Sequence, residues 1–168
     1  MPIVSFTMKE PSPLQLEIHQ SRPFRSLGHE GVVALLRTAD LVRRGYNRVL
    51  EEYEITLQQY NVLRILRGAG EAGVPTLTIA ERMIEEAPGV TRLLDRLEAK
   101  DLVRRERCRQ DRRQVLCWLT SKGSELLETL ESPVDETDRA SLAMLSCEDQ
   151  ERLIRLLDIV RAGHAGPH

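Results

Sequence analysis

A chain of 168 residues and 19.2 kDa suits one compact domain, or one domain with helical extensions. Hydrophobic residues make up 41% and charged residues 30%, which excludes a chain disordered throughout; only 4% are aromatic, so the core must be Leu, Val, Ile and Ala, favouring helices over a β-sandwich. The net charge of −2 conceals an asymmetry, because nine Lys/Arg oppose five Asp/Glu from Arg92 to Arg113, a local +4, whereas ten Asp/Glu and four Arg from Ser124 to Gly163 leave −6.

Residues 1–28 carry four prolines (2, 11, 13 and 23) and read as an N-terminal arm, in which Leu14–His19 is a short helix or an extended piece. From His29 to Tyr53 apolar residues recur at three- and four-residue spacings (Val32, Val33, Leu36, Ala39, Tyr46, Val49, Leu50), which predicts a long helix with a wide apolar stripe. Thr56-Leu-Gln-Gln59 has the form of a capping box and starts a helix through Tyr60, Val62, Leu63, Ile65 and Leu66 that Gly68, Gly70 and Gly73 bring to an end. Pro75-Thr76 begins a short helix with Thr76 or Thr78 as its cap. Pro88 suits the first position of the next helix, whose buried stripe is Val90, Leu93, Leu94 and Leu97, with Thr91, Arg92, Asp95 and Arg96 pointing elsewhere.

The period then changes. Leu102–Arg105 and Val115–Leu119 read as two strands of a hairpin, with the charged stretch RCRQDRRQ (107–114) between them. Pairing 107 with 114 sets Cys108 opposite Arg113 and Cys117 opposite Arg104, so Cys108 and Cys117 are not natural disulfide partners. Trp118 is expected in the core, anchoring the hairpin. Thr120 caps a helix with Leu126, Leu127 and Leu130 on one face, which Pro133 kinks or breaks. Ser146, followed by Glu148 and Asp149, opens a last helix with a broad apolar face from Leu153 to Val160. The expected organisation is an arm (1–28), a long N-terminal helix (29–54), a central domain of helices and a hairpin (55–120), C-terminal helices (121–163) and a tail (164–168).

Other chemistries find little support. No apolar run approaches the ~18 residues of a membrane span, and Pro2 and Lys9-Glu10 interrupt any signal pattern, so a cytoplasmic protein without a membrane partner is expected. Cys108, Cys117 and Cys147 are odd in number and widely spaced, against a disulfide framework or a CxxC zinc site. His19 and His29 lack a ligand set, so neither a metal nor another cofactor is expected. No Ser-His-Asp order, Gly-rich phosphate loop or metal-spaced cluster points to catalysis, and an enzyme is not expected.

Residues 56–119 run helix, short helix, helix, strand, charged loop, strand, which is a winged helix-turn-helix within a mainly α chain. Its physics suits duplex DNA. The helix near Pro88 and Gly89 fits the major groove, where Thr91, Arg92 and Arg96 can meet base edges. Arg104 and Arg105 are candidates for phosphates, with exposed strand residues as the plainer reading, and Arg109, Arg112 and Arg113 can enter the neighbouring minor groove. Asp111, odd in a cationic tip, is expected to accept backbone N–H groups and to orient Arg113.

Four stretches in order resemble the MarR-type (multiple antibiotic resistance) transcriptional regulators over residues ~30–162. They are Thr56-Leu-Gln-Gln-Tyr-Asn-Val-Leu-Arg-Ile-Leu66, Val90-Thr-Arg-Leu-Leu-Asp-Arg-Leu-Glu-Ala-Lys-Asp-Leu-Val103, Asp111-Arg-Arg113 and Leu119-Thr-Ser-Lys-Gly123. The resemblance implies a homodimer of intertwined terminal helices with two winged domains on a palindromic operator, and wing roles for Asp111 and Arg113. It also implies release of DNA by a small aromatic or phenolic ligand; Tyr46, Tyr53 and Tyr60 are candidates for such a site, with packing as the plainer reading. Two positions depart from the family pattern: Ala87-Pro88-Gly89 stands where a polar residue usually opens the recognition helix, and Asp101 replaces the usual small residue. The rival functions are a thiol-based redox sensor using Cys108 or Cys147, and a winged helix that binds protein instead of DNA.

Overall fold

A computed structural model describes residues 10–85, 89–108, 110–111 and 113–164. The chain divides into two compact units, Met1–Arg43 and Arg44–His168. In the first, Ser12 caps the short helix α1 (Pro13–Glu17) by accepting from the Gln15 N–H at 3.3 Å. The long helix α2 (Leu27–Glu51) begins here and runs into the second unit. Arg37 on α2 pairs with Glu17 at 2.7 Å, while Val32, Leu35, Leu36 and Leu41 stay exposed.

The second unit is organised around α3 (Leu57–Ala69), which supplies Tyr60, Val62, Leu63 and Leu66 to the core. Its capping box is complete: Thr56 Oγ1 accepts from the Gln59 N–H at 3.2 Å, and Gln59 Oε1 accepts from the Thr56 N–H at 2.9 Å. This bond lets the Gln59 amide sit 4% exposed without losing an acceptor's partner. The core is completed by Ile79 of α4 (Thr76–Arg82), Leu94 and Leu97 of α5 (Val90–Ala99), Val103 of β2 (Val103–Arg107) and Cys117 of β3 (Val115–Leu119). Leu127, Leu130 and Val134 of α6 (Ser121–Ser141) join them. Each fully buried Leu contributes on the order of 1.5–3 kcal/mol.

A short strand that the sequence did not announce, β1 (Val74–Pro75), adds to the hairpin to give the sheet order β1-β3-β2. Val74 pairs with Cys117 and Pro75 with Leu116. Pro75 also occupies the N-cap of α4, so neither Thr76 nor Thr78 caps it; the Thr76 hydroxyl instead donates to the Val115 carbonyl at 3.3 Å.

The hairpin register is one residue from expectation. Arg107 pairs with Val115, so Arg105 faces Cys117 and Arg104 faces Trp118. The cause is the loop, closed by Cys108 N–H to Gln114 O at 3.0 Å and tightened by Gln114 N–H to Asp111 O at 2.9 Å. One residue of slip exchanges the two faces of a strand, and here it turns Arg105 towards the buried side with Val103 and Cys117. Trp118 is half-buried, on the other face, where its Nε1–H donates to the Glu71 carbonyl at 3.0 Å.

Asp101 takes a left-handed φ of 60°, as its place after the helix requires. Thr120 caps α6, accepting from the Gly123 N–H at 3.0 Å. A Cβ on Gly123 would stand 2.3 Å from the Leu102 carbonyl, so only glycine allows α6 to start this close to the sheet. Pro133 does not break α6, which is continuous from Ser121 to Ser141. One missing N–H removes one backbone bond, and buried Leu127, Leu130 and Val134 hold the turns on both sides. The last helix, α7 (Cys147–Ala162), is capped by Ser146 and buries no residue; Ile154, Leu156, Ile159 and Val160 are exposed. Among the described residues no helix is long and apolar enough to cross a membrane, and no group of three His, Cys, Asp or Glu is placed to hold a metal ion.

Candidate nucleic-acid interface

Helix α5 has one buried face, Val90, Leu94 and Leu97, and one exposed face carrying Thr91, Arg92 and Arg96. It begins at Val90, two residues later than a start at Pro88; Pro88 itself lies outside the described residues. Gly89 is the N-cap, with a left-handed φ of 107° that an L side chain adopts only with strain, and no side chain caps the helix. Its carbonyl accepts from the Arg92 N–H at 2.8 Å. The Gly at this departure from the family pattern therefore has a backbone task. Among the described residues Arg92 and Arg96 make no ion pair.

The start of α5, α4 and the base of the hairpin loop enclose a cleft of about 630 Å³. Gly89 and Thr91 line it from α5, Thr76, Leu77 and Thr78 from α4, and Arg113 and Gln114 from the loop. Of this set, Gly89, Thr91 and Arg113 are expected from the sequence pattern, whereas Thr76, Leu77, Thr78 and Gln114 are not. The available signal was Leu77, which falls between two threonines off the Ile79–Met83 stripe and is 71% exposed.

Within the loop, Asp111 Oδ1 accepts from the Arg113 backbone N–H at 3.0 Å, a turn-shaping bond of the expected kind. Among the described residues no bond joins the Arg113 guanidinium to Asp111, and Arg113 is one of the residues lining the cleft. Arg109 and Arg112 lie outside the described residues. Arg104 stacks over Trp118 with its Cζ 4.1 Å from the ring centroid and pairs with Glu106 at 2.5 Å, yet its side chain is half exposed.

Arg105 is differently engaged. Its Nη2 donates to Asp95 Oδ1 and to Glu98 Oε2, each at 2.6 Å, and its Nε to Glu98 at 3.0 Å. The Glu98 bond is the main reason its pKa is raised further above an already high value, with Asp95 adding to it. A guanidinium held in this way is not presented to phosphates. Burial is the largest cause raising the Cys117 thiol above its ordinary pKa, while the Thr76 hydroxyl bond and the Arg105 charge pull it down.

The three tyrosines divide. Tyr53 packs at the edge of the core. The Tyr46 hydroxyl donates to the Asp138 carboxylate, and burial, then this bond, raises its pKa well above the ordinary value. Arg64 Nη1 donates to the Tyr60 hydroxyl at 3.0 Å, its Cζ lying 5.8 Å from that ring. Tyr46 and Tyr60 thus share one polar cluster with Arg64 and Asp138.

A helix-turn-helix with an exposed basic helix face and an adjoining β-wing defines a winged-helix DNA-binding protein. Comparison with known proteins gives its kin. Residues 55–115 match the model of the MarR family. The chain is 31% identical over 104 residues to the transcriptional regulator HosA of Escherichia coli O157:H7, covering 62% of this chain and 76% of that protein. Among solved structures it resembles a MarR transcription factor from Planctomyces limnophilus, with 39% identity, a TM-score of 0.64 and coverage of 82% of this chain and 99% of that one. It also resembles MepR of S. aureus, solved in complex with DNA, with 28% identity, a TM-score of 0.71 and coverage of 77% and 96%. The chain belongs to the MarR family and is a DNA-binding transcriptional regulator, not an enzyme.

Proposed function

We propose that this regulator is a cytoplasmic, ligand-responsive repressor that binds a palindromic operator as a homodimer. The observation that carries the reading is the cleft that joins Thr91 at the start of α5 to Arg113 at the base of the wing, beside Arg92 and Arg96, which make no ion pair among the described residues. Thr91, Arg92 and Arg96 then meet bases or phosphates in the major groove, and Arg113, with Arg109 and Arg112, follows the adjacent backbone or minor groove. Residues 55–120 act as the DNA-binding domain, and 29–54 with 121–163 as the dimerisation helices. The exposed Ile154, Leu156, Ile159 and Val160 of α7 support the dimer, because a face of this kind is costly to leave in water.

The effector is a small aromatic or phenolic molecule bound near Tyr46, Tyr53 and Tyr60. Arg64 and Asp138 supply polar groups for its hydroxyl or carboxylate. Footprinting on the DNA upstream of the protein's own gene tests the proposal. Two protected half-sites about one helical turn apart, bound by a dimer in sedimentation, are expected. A monomer with a single protected site overturns it.

A further inference from the structure

We infer that Arg105 serves DNA recognition from inside the protein: by holding Asp95 and Glu98 against β2 it keeps Arg92 free on the outer face of α5. The inference rests on the DNA-binding reading of that face. Asp95 stands three residues after Arg92 on the same helix, the spacing at which an arginine and a carboxylate pair. Nothing in the helix itself prevents that pair, which would tie down Arg92 and set a carboxylate beside a polyanion. Arg105 removes the competitor. It reaches Asp95 at 2.6 Å and Glu98 at 2.6 and 3.0 Å, with only 20% of its side chain exposed.

The competition is unequal. An exposed pair within one helix gains little, whereas three charge-assisted bonds around a partly desolvated guanidinium gain more. The hairpin register makes this possible, because pairing Arg105 with Cys117 turns it to the buried side, towards α5. The same contacts fasten the strand that leads into the wing to the helix that reads DNA. Arg105 is therefore a positioning residue, and a phosphate would have to break three bonds to engage it.

The test is a set of operator affinities. Arg105→Ala is expected to weaken operator binding by about ten-fold or more, the effect of losing one well-placed contact. Adding Asp95→Asn and Glu98→Gln to Arg105→Ala is expected to restore affinity to within about three-fold of the starting protein. In an Arg92→Ala background the same two changes should restore almost nothing, which separates the release of Arg92 from a general gain of positive charge. If Arg105→Ala does not fold, Arg105→Met, which keeps the aliphatic stem, takes its place throughout. Absence of rescue means Arg105 touches DNA itself, and equal rescue without Arg92 means charge alone acts; either overturns the inference. Failure of the unaltered protein to bind duplex overturns the DNA-binding reading together with it, whereas binding without rescue overturns the inference alone.

Discussion

The phenolic hydroxyl of Tyr46 on α2 donates to the carboxylate of Asp138 on α6, joining two helices across 92 positions of sequence. Tyr46→Phe removes that bond and leaves the ring in place. The expected loss is about 0.5–1.5 kcal/mol, the net worth of a partly solvated hydrogen bond. It should appear as a fall of roughly 1–6 °C in melting temperature.

The same bond gives a pH dependence of definite sign. Tyr46 has its pKa raised in the folded state, by burial first and then by Asp138, while in the unfolded chain it titrates near 10. Its contribution is complete below that value and is lost as the pH rises above it, because the unfolded state then gives up a proton that the folded state keeps. Denaturant unfolding from neutral pH upward should show stability falling above about pH 10. The fall should be shallower in Tyr46→Phe, and equal slopes would remove Tyr46 as its source.

Gly123→Ala is expected to cost about 2–3 kcal/mol or more, the range for forcing atoms into a packed site. The new methyl would stand 2.3 Å from a backbone carbonyl and 2.7 Å from a Leu119 methyl, and neither the sheet nor the helix start can move away cheaply. Urea denaturation of the variant measures it, and a midpoint equal to the parent's would show that α6 does not press on Leu102 as described.

The thiols should react in order of exposure. Cys147 is exposed at the start of α7, Cys108 is intermediate, and Cys117 is buried with its thiol pKa raised. Mass spectrometry after brief alkylation should find Cys147 modified and Cys117 protected until the protein unfolds. Early labelling of Cys117 would contradict the packing of β3 against α4 and β2. Any redox sensing must then use Cys108 or Cys147.

Arg113→Ala and Arg92→Ala should differ in kind. Arg113→Ala is expected to weaken binding to all duplexes and to lower the salt slope by about one, the signature of a lost phosphate contact. Arg92→Ala is expected to cost about 1–3 kcal/mol at one operator position and to relax the preference there. Affinities for a panel of singly substituted operators measure both. An unchanged preference in Arg92→Ala removes it from base reading.

Local chemistry carried most of the fold into the sequence. The Thr56–Gln59 capping box and the Thr120 and Ser146 caps are each decided by residues three or four apart, and each appears as read. What escaped depends on distant partners. Strand β1 has two residues, too few for a period, and exists because Val74 and Pro75 meet β3. The register turned on one residue of a loop whose backbone bonds no pattern announces. Arg105 looked like its neighbour Arg104 because Asp95 and Glu98 reach it only once β2 folds back along α5. Leu77, Thr78 and Gln114 joined the cleft for the same reason.

The most direct measurement is the affinity for the protein's own upstream duplex and for a random duplex, each followed from about 50 to 200 mM salt. Log affinity should fall linearly with log salt for both, with the upstream site bound about a thousand-fold or more tighter. A flat dependence, or equal affinity for the two duplexes, would contradict a cleft and helix face built to read DNA.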